Sequence, residues 1–358
     1  MRTLIIPCSG KSSRFKNMRP KYLLTYPTGE IMVEKCISGL NLKEFDRVIV
    51  TIVKEHSEKY ESEIILSQVF ESYTEPAVEI CVLPEFTTCQ SETVYETIRR
   101  MKIMGEIVVK DSDNYIAVSE MPHGNFIAGL NINTFPKEIF RLNSKSFIIT
   151  NNQDIVTDII EKKIKSDCIC VGMYGFSDAE QFCRTYQDLL ENFNFAESNE
   201  IYLSHIISYM IGTGTEIFRC LYVLDFEDWG TPMDWKIVQS KMQTYFIDLD
   251  GVIFVNRGKY GTKTWKNDNE LLESNMQCIR DLYCNGAQIV VTTARSSEYV
   301  PFINEVFEKE GIKLHAIVTD CNHSSRILIN DFSTTNTYPS CRAISIPRNA
   351  NLNDYLHQ

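Results

Sequence analysis

The sequence predicts an α/β protein of two domains, residues 1–241 and 242–358. Three observations lead to this fold class. A chain of 358 residues is long for a single hydrophobic core. Strand-like apolar runs alternate with helix-like amphipathic segments, and in both parts such runs end abruptly in carboxylates. Because ligands bind beyond the carboxyl ends of strands in open α/β sheets, we expect a site in each domain.

The composition excludes several classes of function. With 44% apolar and 23% charged residues and no low-complexity tract, the chain is an ordinary globular protein. A net charge of -11 argues against a nucleic-acid partner, which needs a basic face, whereas a local basic loop suffices for small phosphorylated molecules. No apolar stretch reaches membrane-spanning length and no signal peptide is recognisable, so we expect a cytoplasmic protein without membrane insertion. The twelve scattered cysteines indicate reduced core thiols.

The first strand, residues 4–7, leads into a loop of small residues and cations at 8–15, CSGKSSRF, and residues 19–24, RPKYLL, follow shortly after. Small residues let backbone N–H groups approach phosphate oxygens, and Lys and Arg side chains neutralise their charge. The loop lacks the spacing of a Walker motif. It therefore predicts a phosphate-binding loop of another type.

This loop, together with the Pro-Lys pair at 20–21, resembles the signature of sugar-phosphate nucleotidyltransferases. The resemblance implies a mixed or parallel sheet with helices on both faces. It also implies that Arg14 and Lys21 stabilise a bound triphosphate, in a loop where Ser12 replaces the usual second Gly. The loop residues that it assigns to nucleotide binding are Ser9, Gly10, Lys11 and Ser12.

Strand-like residues 47–53 and 78–83 flank a polar amphipathic run at 56–73, as in a parallel α/β sheet. Residues 90–93, QSET, then open a helix. Two interpretations of this point stay open. A hydroxyl here could cap the helix, or Gln90 could contact the nucleotide base, as the resemblance implies.

Another strand, at 106–110, delivers carboxylates to a sheet edge at Asp111 and Asp113. By the resemblance one of them binds a metal ion, and its spacing from the strand favours Asp111. Residues 226–232, FEDWGTP, resemble the family segment whose aspartate supplies the second metal contact, which makes Asp228 the partner. Two hard oxygen ligands and substrate phosphates are what Mg²⁺ prefers.

Residues 159–162 and 171–176, IIEK and VGMYGF, resemble the family segments that line the sugar-phosphate pocket. The resemblance assigns Glu161, Lys162 and Tyr174 to that pocket. Residues 233–241 then form a predicted helix that runs without a flexible linker into the next strand, so we expect docked domains.

The second domain opens with residues 245–252, YFIDLDGV, an apolar strand that ends in two carboxylates one residue apart, followed by Gly. Two more predicted strands follow. Residues 286–295, GAQIVVTTAR, end in hydroxyls, and residues 326–331, RILIND, end in a carboxylate. The three strands would deliver carboxylates and a hydroxyl to one edge of a sheet.

This series resembles the haloacid dehalogenase superfamily, mostly Mg²⁺-dependent phosphatases with a Rossmann-like fold. The resemblance makes Asp248 the nucleophile, Asp250 the general acid and base, and Thr293 the phosphate-binding hydroxyl. Arg326 is the best candidate for the basic residue, and Asp331, with Asp248 and Asp250, a metal ligand. A carboxylate attacks phosphorus only where a cation offsets the charge of the phosphate.

The gaps between these motifs leave little or no room for a cap domain, so we expect an open site. The first domain or a second subunit would then cover it and touch a flap around Tyr260 and Trp265. In the alternative interpretation these two aromatic residues only pack locally.

We therefore predict a bifunctional Mg²⁺-dependent enzyme with one or more ions in each domain. It would transfer a nucleotidyl group from a nucleoside triphosphate, CTP or UTP favoured, to a sugar or polyol phosphate, and it would hydrolyse phosphate monoesters. Such a pair of activities suits the biosynthesis of activated sugars or surface polysaccharides. A glycosyltransferase site and a degenerate, regulatory domain are the alternatives, and a homo-oligomer stays open.

Overall fold

A computed structural model describes residues 1–135, 141–192, 200–258, 265–266, 269–331 and 341–356. The chain divides into two compact units, Met1–Pro232 and Met233–Gln358. The division lies a few residues before the predicted boundary at 241/242. It coincides with the start of the predicted linking helix. No helix among the described residues has both the length and the apolar character that crossing a membrane requires.

The first unit is built on a mixed nine-stranded sheet. The strands of the unit are β1 (Arg2–Pro7), β2 (Arg47–Val53), β3 (Val78–Leu83), β4 (Glu106–Lys110), β5 (Asn114–Ala117), β6 (Phe126–Asn131), β7 (Phe147–Thr150), β8 (Ile155–Ile160), β9 (Cys168–Phe176), β10 (Phe218–Tyr222) and β11 (Asp225–Asp228). The order in the nine-stranded sheet is β3-β2-β1-β4-β9-β6-β10-β8-β7. Strands β1 to β4 are parallel neighbours, so their carboxyl ends meet at one edge, and β9 runs antiparallel to β4 and β6.

The helices of the first unit are α1 (Met32–Ile37), α2 (Lys54–Tyr60), α3 (Ser62–Val69), α4 (Gln90–Met101), α5 (Ala179–Asn192) and α6 (Leu203–Gly212), and short 3₁₀ turns lie at Lys21–Leu23, Leu42–Glu44 and Leu142–Ser144. The predicted strands at 47–53 and 78–83 coincide with β2 and β3. The predicted helical run at 56–73 is divided into α2 and α3 by Glu61, which has a φ of +54°. The core includes Ile5 of β1, Val109 of β4 and Phe182 of α5.

Helix α4 begins at Gln90 as predicted, but the proposed capping hydroxyl is wrong. Cys89 takes the N-cap position, and no side chain there bonds to the helix backbone. Instead the Ser91 hydroxyl donates to the backbone oxygen of Ile201 at 2.8 Å. A long-range contact has therefore taken the hydroxyl that a local pattern assigned to a cap.

Strands β5 and β11 form a separate antiparallel pair. Asp228, the last residue of β11, lies opposite Asn114, the first residue of β5. This register brings residue 228 next to the end of β4, although the two are far apart in the sequence.

The second unit is built on a three-stranded parallel sheet of β12 (Thr244–Asp248), β13 (Gln288–Thr292) and β14 (Ala316–Val318), in that order. Its described helices are α7 (Pro232–Lys241), α8 (Glu273–Cys284), α9 (Val300–Lys309) and α10 (Asn353–Leu356), with a 3₁₀ turn at Ser297–Tyr299. Ile247, Val291 and Phe307 belong to its core.

The predicted strand at 326–331 is wrong. These residues, all of which the structure describes, form no strand, and Ile327 and Ile329 are 83% and 89% exposed. Both sides of β13 are taken, by β12 and by Ala316–Val318, and residues 326–331 pair with the outer edge of neither strand. No strand thus carries Asp331 to the sheet edge.

Candidate functional site

Two carboxylates converge at the carboxyl edge of β4. Asp113 lies just before β5, and Asp228 ends β11, which pairs with β5. A backbone bond from the N–H of Trp229 to the carbonyl of Asp113, at 2.8 Å, holds the two turns together. A Cβ atom on Gly230 would lie 3.1 Å from Asp228 Oδ1 and 3.4 Å from Asp113 Oδ2. The absence of a side chain at residue 230 therefore leaves the two carboxylates facing one small space.

Asp111 lies at the same edge but is held apart. Its Oδ1 accepts a hydrogen bond from Gln90 Nε2 at 2.5 Å. Its Oδ2 lies against Gly172, where a Cβ would come within 2.2 Å, and Gly172 has a φ of +78°. Burial, and then the neighbouring Asp113 carboxylate, raise the pKa of Asp111 to about 6. The predicted preference for Asp111 as the partner of Asp228 thus gains no support from geometry, which pairs Asp228 with Asp113.

Each of the two converging carboxylates contacts a lysine. Lys21 Nζ lies 2.6 Å from Asp113 Oδ2, and Lys145 Nζ hydrogen-bonds to Asp228 Oδ2. Burial acts to raise the pKa of Asp113, but the Lys21 ammonium outweighs it and the pKa is lowered. Lys145 was not predicted from the sequence. The only signal is a cation just before a short strand, which is also the pattern of an ordinary surface lysine.

A third lysine has a structural role. Lys110 is fully buried, and its ammonium donates to the carbonyl oxygens of Asp111 and Asn114 at 2.8 and 2.9 Å and to the Asn114 side chain. An ammonium has three protons, so all its donors are used. Lys110 fixes the backbone of the turn that presents Asp111 and Asp113.

The loop that follows β1 lies at the same carboxyl edge of the sheet as Asp113 and Asp228. Ser12 has a φ of +50°, the left-handed conformation that a glycine adopts most readily, and its Oγ accepts from the N–H of Lys21 at 3.2 Å. The Arg14 guanidinium donates to the carbonyl of Gly230 at 3.2 Å. The Ser9 hydroxyl is buried between Thr87 and Thr93, at 2.9 and 2.8 Å. Gly10 and Lys11 are exposed, and Lys11 Nζ lies 5.8 Å from the Phe86 ring centre.

Of the predicted sugar-phosphate residues, Glu161 and Lys162 directly follow β8, and Tyr174 lies on β9. Glu161 Oε2 accepts from Ser146 and Ser204 at 2.5 and 2.7 Å, so it is tied to its own surroundings. Lys162 Nζ donates to Tyr202 Oη at 2.6 Å. Tyr174 is buried in β9, and burial, with the nearby Cys170, Asp111 and Glu161, raises its pKa well above the usual range. Geometry thus gathers these residues on the same side of the sheet as Asp111.

The donor set fits a hard divalent cation. Among the described residues no three His, Cys, Asp or Glu side chains form a metal cluster. Mg²⁺ commonly keeps several waters and takes only one or two carboxylates plus substrate phosphates. Asp113 and Asp228, facing the space beside Gly230, offer that number of carboxylates.

The second unit places its aspartates at the end of β12, next to the end of β13. Asp250 is held by Arg295, whose Nε and Nη2 donate to its two oxygens at 3.0 and 2.6 Å. The Arg295 side chain is fully buried, lies over the Phe254 ring at 5.0 Å and donates to Asn269 at 2.7 Å. We did not identify Arg295 from the sequence, where the only signal is a cation two residues after Thr293.

Asp248 is more open, with 40% of its side chain exposed, and its Oδ1 accepts from Arg326 Nη2 at 2.9 Å. Burial raises the pKa of Asp248, and Arg326 opposes this rise. Thr293 is buried, and its hydroxyl accepts from the N–H of Arg295 at 3.1 Å. Asp331 is exposed beyond the irregular residues 326–330, so it is not brought to the other predicted residues by a strand.

The predicted flap can be followed in part. Tyr260 lies outside the described residues. Trp265 packs against the core of the second unit, with its ring edge-on to Tyr299 at 5.8 Å between centres. This contact favours the alternative in which Trp265 packs locally.

Comparison with known proteins identifies the fold of about two thirds of the chain. A nucleoside-diphosphate-sugar pyrophosphorylase from Vibrio cholerae is similar over 66% of this chain and 99% of its own, with a TM-score of 0.54 and 17% identity. A CTP:phosphocholine cytidylyltransferase from Streptococcus pneumoniae and a UDP-glucose pyrophosphorylase each cover 66% of this chain and 97% of their own, with TM-scores of 0.50 and identities of 14% and 11%. No family model and no curated protein matches the sequence.

The structural neighbours are thus nucleotidyltransferases, and this chain shares their mixed α/β fold. The covered share is about 236 residues, 66% of 358, and the first unit has a similar length, residues 1–232. The phosphatase resemblance of the second unit has no counterpart among these neighbours. Identities of 11% to 17% establish a fold and leave the reaction to be argued from the site.

Proposed function

We propose that the first unit transfers a nucleotidyl group from a nucleoside triphosphate, CTP or UTP favoured, to a sugar or polyol phosphate and releases pyrophosphate. The observation that carries this proposal is the convergence of Asp113 and Asp228, each beside a lysine, at the carboxyl edge of the sheet. The fold, shared with solved nucleotidyltransferases, supports it.

In the proposed reaction an oxygen of the acceptor phosphate attacks the α-phosphorus in line. The new P–O bond forms as the bond from the α-phosphorus to its leaving oxygen breaks, and pyrophosphate departs. No protein nucleophile is needed, so the protein mainly positions the reactants and neutralises charge. Arg14 and Lys21 would hold triphosphate oxygens. Asp113 and Asp228 would hold Mg²⁺, whose positive charge stabilises the reacting phosphates when it is bound.

The test is an assay of the full chain with each of the four ribonucleoside triphosphates and a panel of sugar and polyol phosphates. Pyrophosphate and free phosphate are followed separately, with and without EDTA. We expect Mg²⁺-dependent pyrophosphate release that requires one acceptor. Release of a nucleoside diphosphate from a nucleotide sugar, without any pyrophosphate from triphosphates, would instead support the glycosyltransferase alternative and contradict the proposal.

A second candidate function belongs to the second unit. We propose that it hydrolyses phosphate monoesters, with Asp248 as nucleophile and Mg²⁺ held by Asp248 and Asp250. The observation that favours it is the joint position of Asp248, Asp250 and Thr293 at the adjoining ends of β12 and β13, with Arg326 against Asp248. Asp250 could give a proton to the leaving oxygen only after its bonds to Arg295 loosen, because both of its oxygens accept from that guanidinium.

Together the two reactions would serve successive steps in making an activated sugar, for example for a surface polysaccharide. The phosphatase would then remove one phosphate of a bisphosphate before nucleotidyl transfer. The same assay separates the alternatives. Free phosphate released from a monoester in the absence of triphosphate supports the second activity, and its absence over the whole panel supports a regulatory or structural second unit.

A further inference from the structure

Lys145 is held in place by its backbone. It follows the 3₁₀ turn Leu142–Ser144, with its N–H bonded to the carbonyl of Leu142 at 3.0 Å. Its own carbonyl accepts from the N–H of Lys162 at 3.1 Å. Because β7 and β8 are antiparallel, Lys145 before β7 and Lys162 after β8 lie at the same end of one hairpin. Two lysine side chains therefore start at the same end of this hairpin: Lys145 contacts Asp228, and Lys162 contacts Tyr202.

The ammonium of Lys145 is only partly solvated. Its side chain is 17% exposed, and its Nζ lies 5.6 Å from the centre of the Phe226 ring while it contacts Asp228. The pairing of cations and anions is one to one, Lys21 with Asp113 and Lys145 with Asp228. The oxygens that face the space beside Gly230 are Asp113 Oδ2, which Lys21 contacts, and Asp228 Oδ1, whereas Lys145 contacts Asp228 Oδ2. A divalent cation that takes both carboxylates as ligands must therefore compete with Lys21 for an oxygen and with Lys145 for the negative charge of Asp228.

An ammonium that loses its carboxylate in this place still needs an anion. Lysine carries a compact charge on a flexible stem, so it can turn to a new partner without movement of its backbone. The acceptor of the proposed reaction carries a phosphate dianion, and Lys162, which we predict to line the acceptor pocket, lies at the other corner of the hairpin end. A phosphate monoester is thus the available partner for Lys145.

We propose that Lys145 exchanges partners: it pairs with Asp228 until a divalent cation binds, and then binds the phosphate of the acceptor. This inference rests on the proposed function of the first unit. It makes Lys145 a specificity residue that links metal binding to recognition of a phosphate monoester, a role that the resemblance to nucleotidyltransferases did not assign.

The exchange predicts opposite effects on two ligands. Mn²⁺ is the metal probe, measured by electron paramagnetic resonance on the full chain, and the binding that Asp228→Asn removes is assigned to the first unit. Lys145→Met and Lys145→Gln should bind this Mn²⁺ ~3- to 10-fold more tightly, the range for loss of one partly buried ion pair. In calorimetry with inorganic phosphate on the Mn²⁺-loaded protein, both variants should bind phosphate at least ~10-fold more weakly.

Two variants serve as controls. Lys145→Arg keeps the positive charge and should restore most of the phosphate affinity. Lys163→Met removes an exposed lysine from the same turn and should leave both affinities unchanged. Two neutral variants at residue 145 guard against one of them failing to fold.

Each result either supports or overturns the exchange of partners by Lys145. Mn²⁺ affinity that is unchanged or weaker in both neutral variants overturns the exchange, and so does unchanged phosphate affinity. Either of these results with intact pyrophosphate release leaves the proposed function standing. If the Asp228→Asn variant binds as much Mn²⁺ as the wild-type protein, the first unit has no metal site at Asp228. This result overturns both the exchange and the proposed function.

Discussion

Each unit has two aspartates one residue apart where a parallel strand ends, Asp111 and Asp113 at the end of β4 and Asp248 and Asp250 at the end of β12. The side chains that contact these aspartates differ between the two units. In the first unit the second aspartate contacts Lys21, and its neighbour Asp228 contacts Lys145. In the second unit both oxygens of the second aspartate are bound by the buried Arg295.

This difference has a chemical consequence. A lysine offers a mobile point charge, whereas the planar guanidinium of arginine binds a carboxylate through two fixed hydrogen bonds. The lysine pairs of the first unit would thus allow its carboxylates to take the proposed cation, whereas the arginine of the second unit holds Asp250 by two bonds and leaves Asp248 more open. The same short sequence pattern thus supports different chemistry, depending on its partners.

The largest expected effects test whether the two sites are separate. Asp228→Asn should reduce nucleotidyl transfer by more than ~100-fold, the order expected for loss of one group that stabilises charge, and should spare release of free phosphate. Asp248→Asn should do the reverse. The measurement is pyrophosphate and free phosphate in one reaction mixture. Loss of both activities in either folded variant would contradict the two-site interpretation.

A second prediction concerns the rigid pair of the second unit. Arg295→Met leaves the Asp250 carboxylate without its buried cation, so we expect the free energy of unfolding to fall by about 3 kcal/mol. Arg280→Met is the matched control, because Arg280 pairs with Glu310 with 36% of its side chain exposed, and it should cost about 1 kcal/mol or less. Both values come from urea unfolding at pH 7. Equal losses would mean that burial does not strengthen the Arg295 pair.

The smallest effect concerns a buried histidine of the first unit, whereas His315 in the second is exposed. Burial, and then the nearby Lys59, lower the pKa of His56 to about 4 from the ordinary 6.5. The unfolded chain therefore takes up a proton below pH 6.5 that the folded chain refuses. Its free energy of unfolding should fall by roughly 1–3 kcal/mol as the pH drops from 6.5 to 4.

The substitution His56→Phe should remove this part of the pH dependence, and His315→Gln should preserve it. Urea unfolding of the three proteins between pH 4 and 8 provides the comparison. A pH profile of His56→Phe that matches the wild type would assign the acid sensitivity to other groups.

Features that depend on contiguous residues are more predictable from the sequence than features that depend on distant partners. Strands β2 and β3 coincide with their predicted bounds because dense runs of β-branched residues predict a buried strand without knowledge of partners. The strand predicted at 326–331, RILIND, has only two β-branched residues, and it forms no ladder. Composition measures only the tendency to form a strand, because strand formation also depends on how the side chains pack against neighbouring strands and against the core.

The sequence by itself determined the α/β class, the aspartate pairs at the ends of β4 and β12, and the loop of small residues and cations after β1, because each follows from contiguous residues. The tertiary structure alone decided that Asp113 rather than Asp111 faces Asp228, through the register of β5 and β11. It also brought in Lys145 and Arg295. The physical reason is that a carboxylate's partner is set by distance in space, and strand pairing brings together residues that lie far apart along the chain.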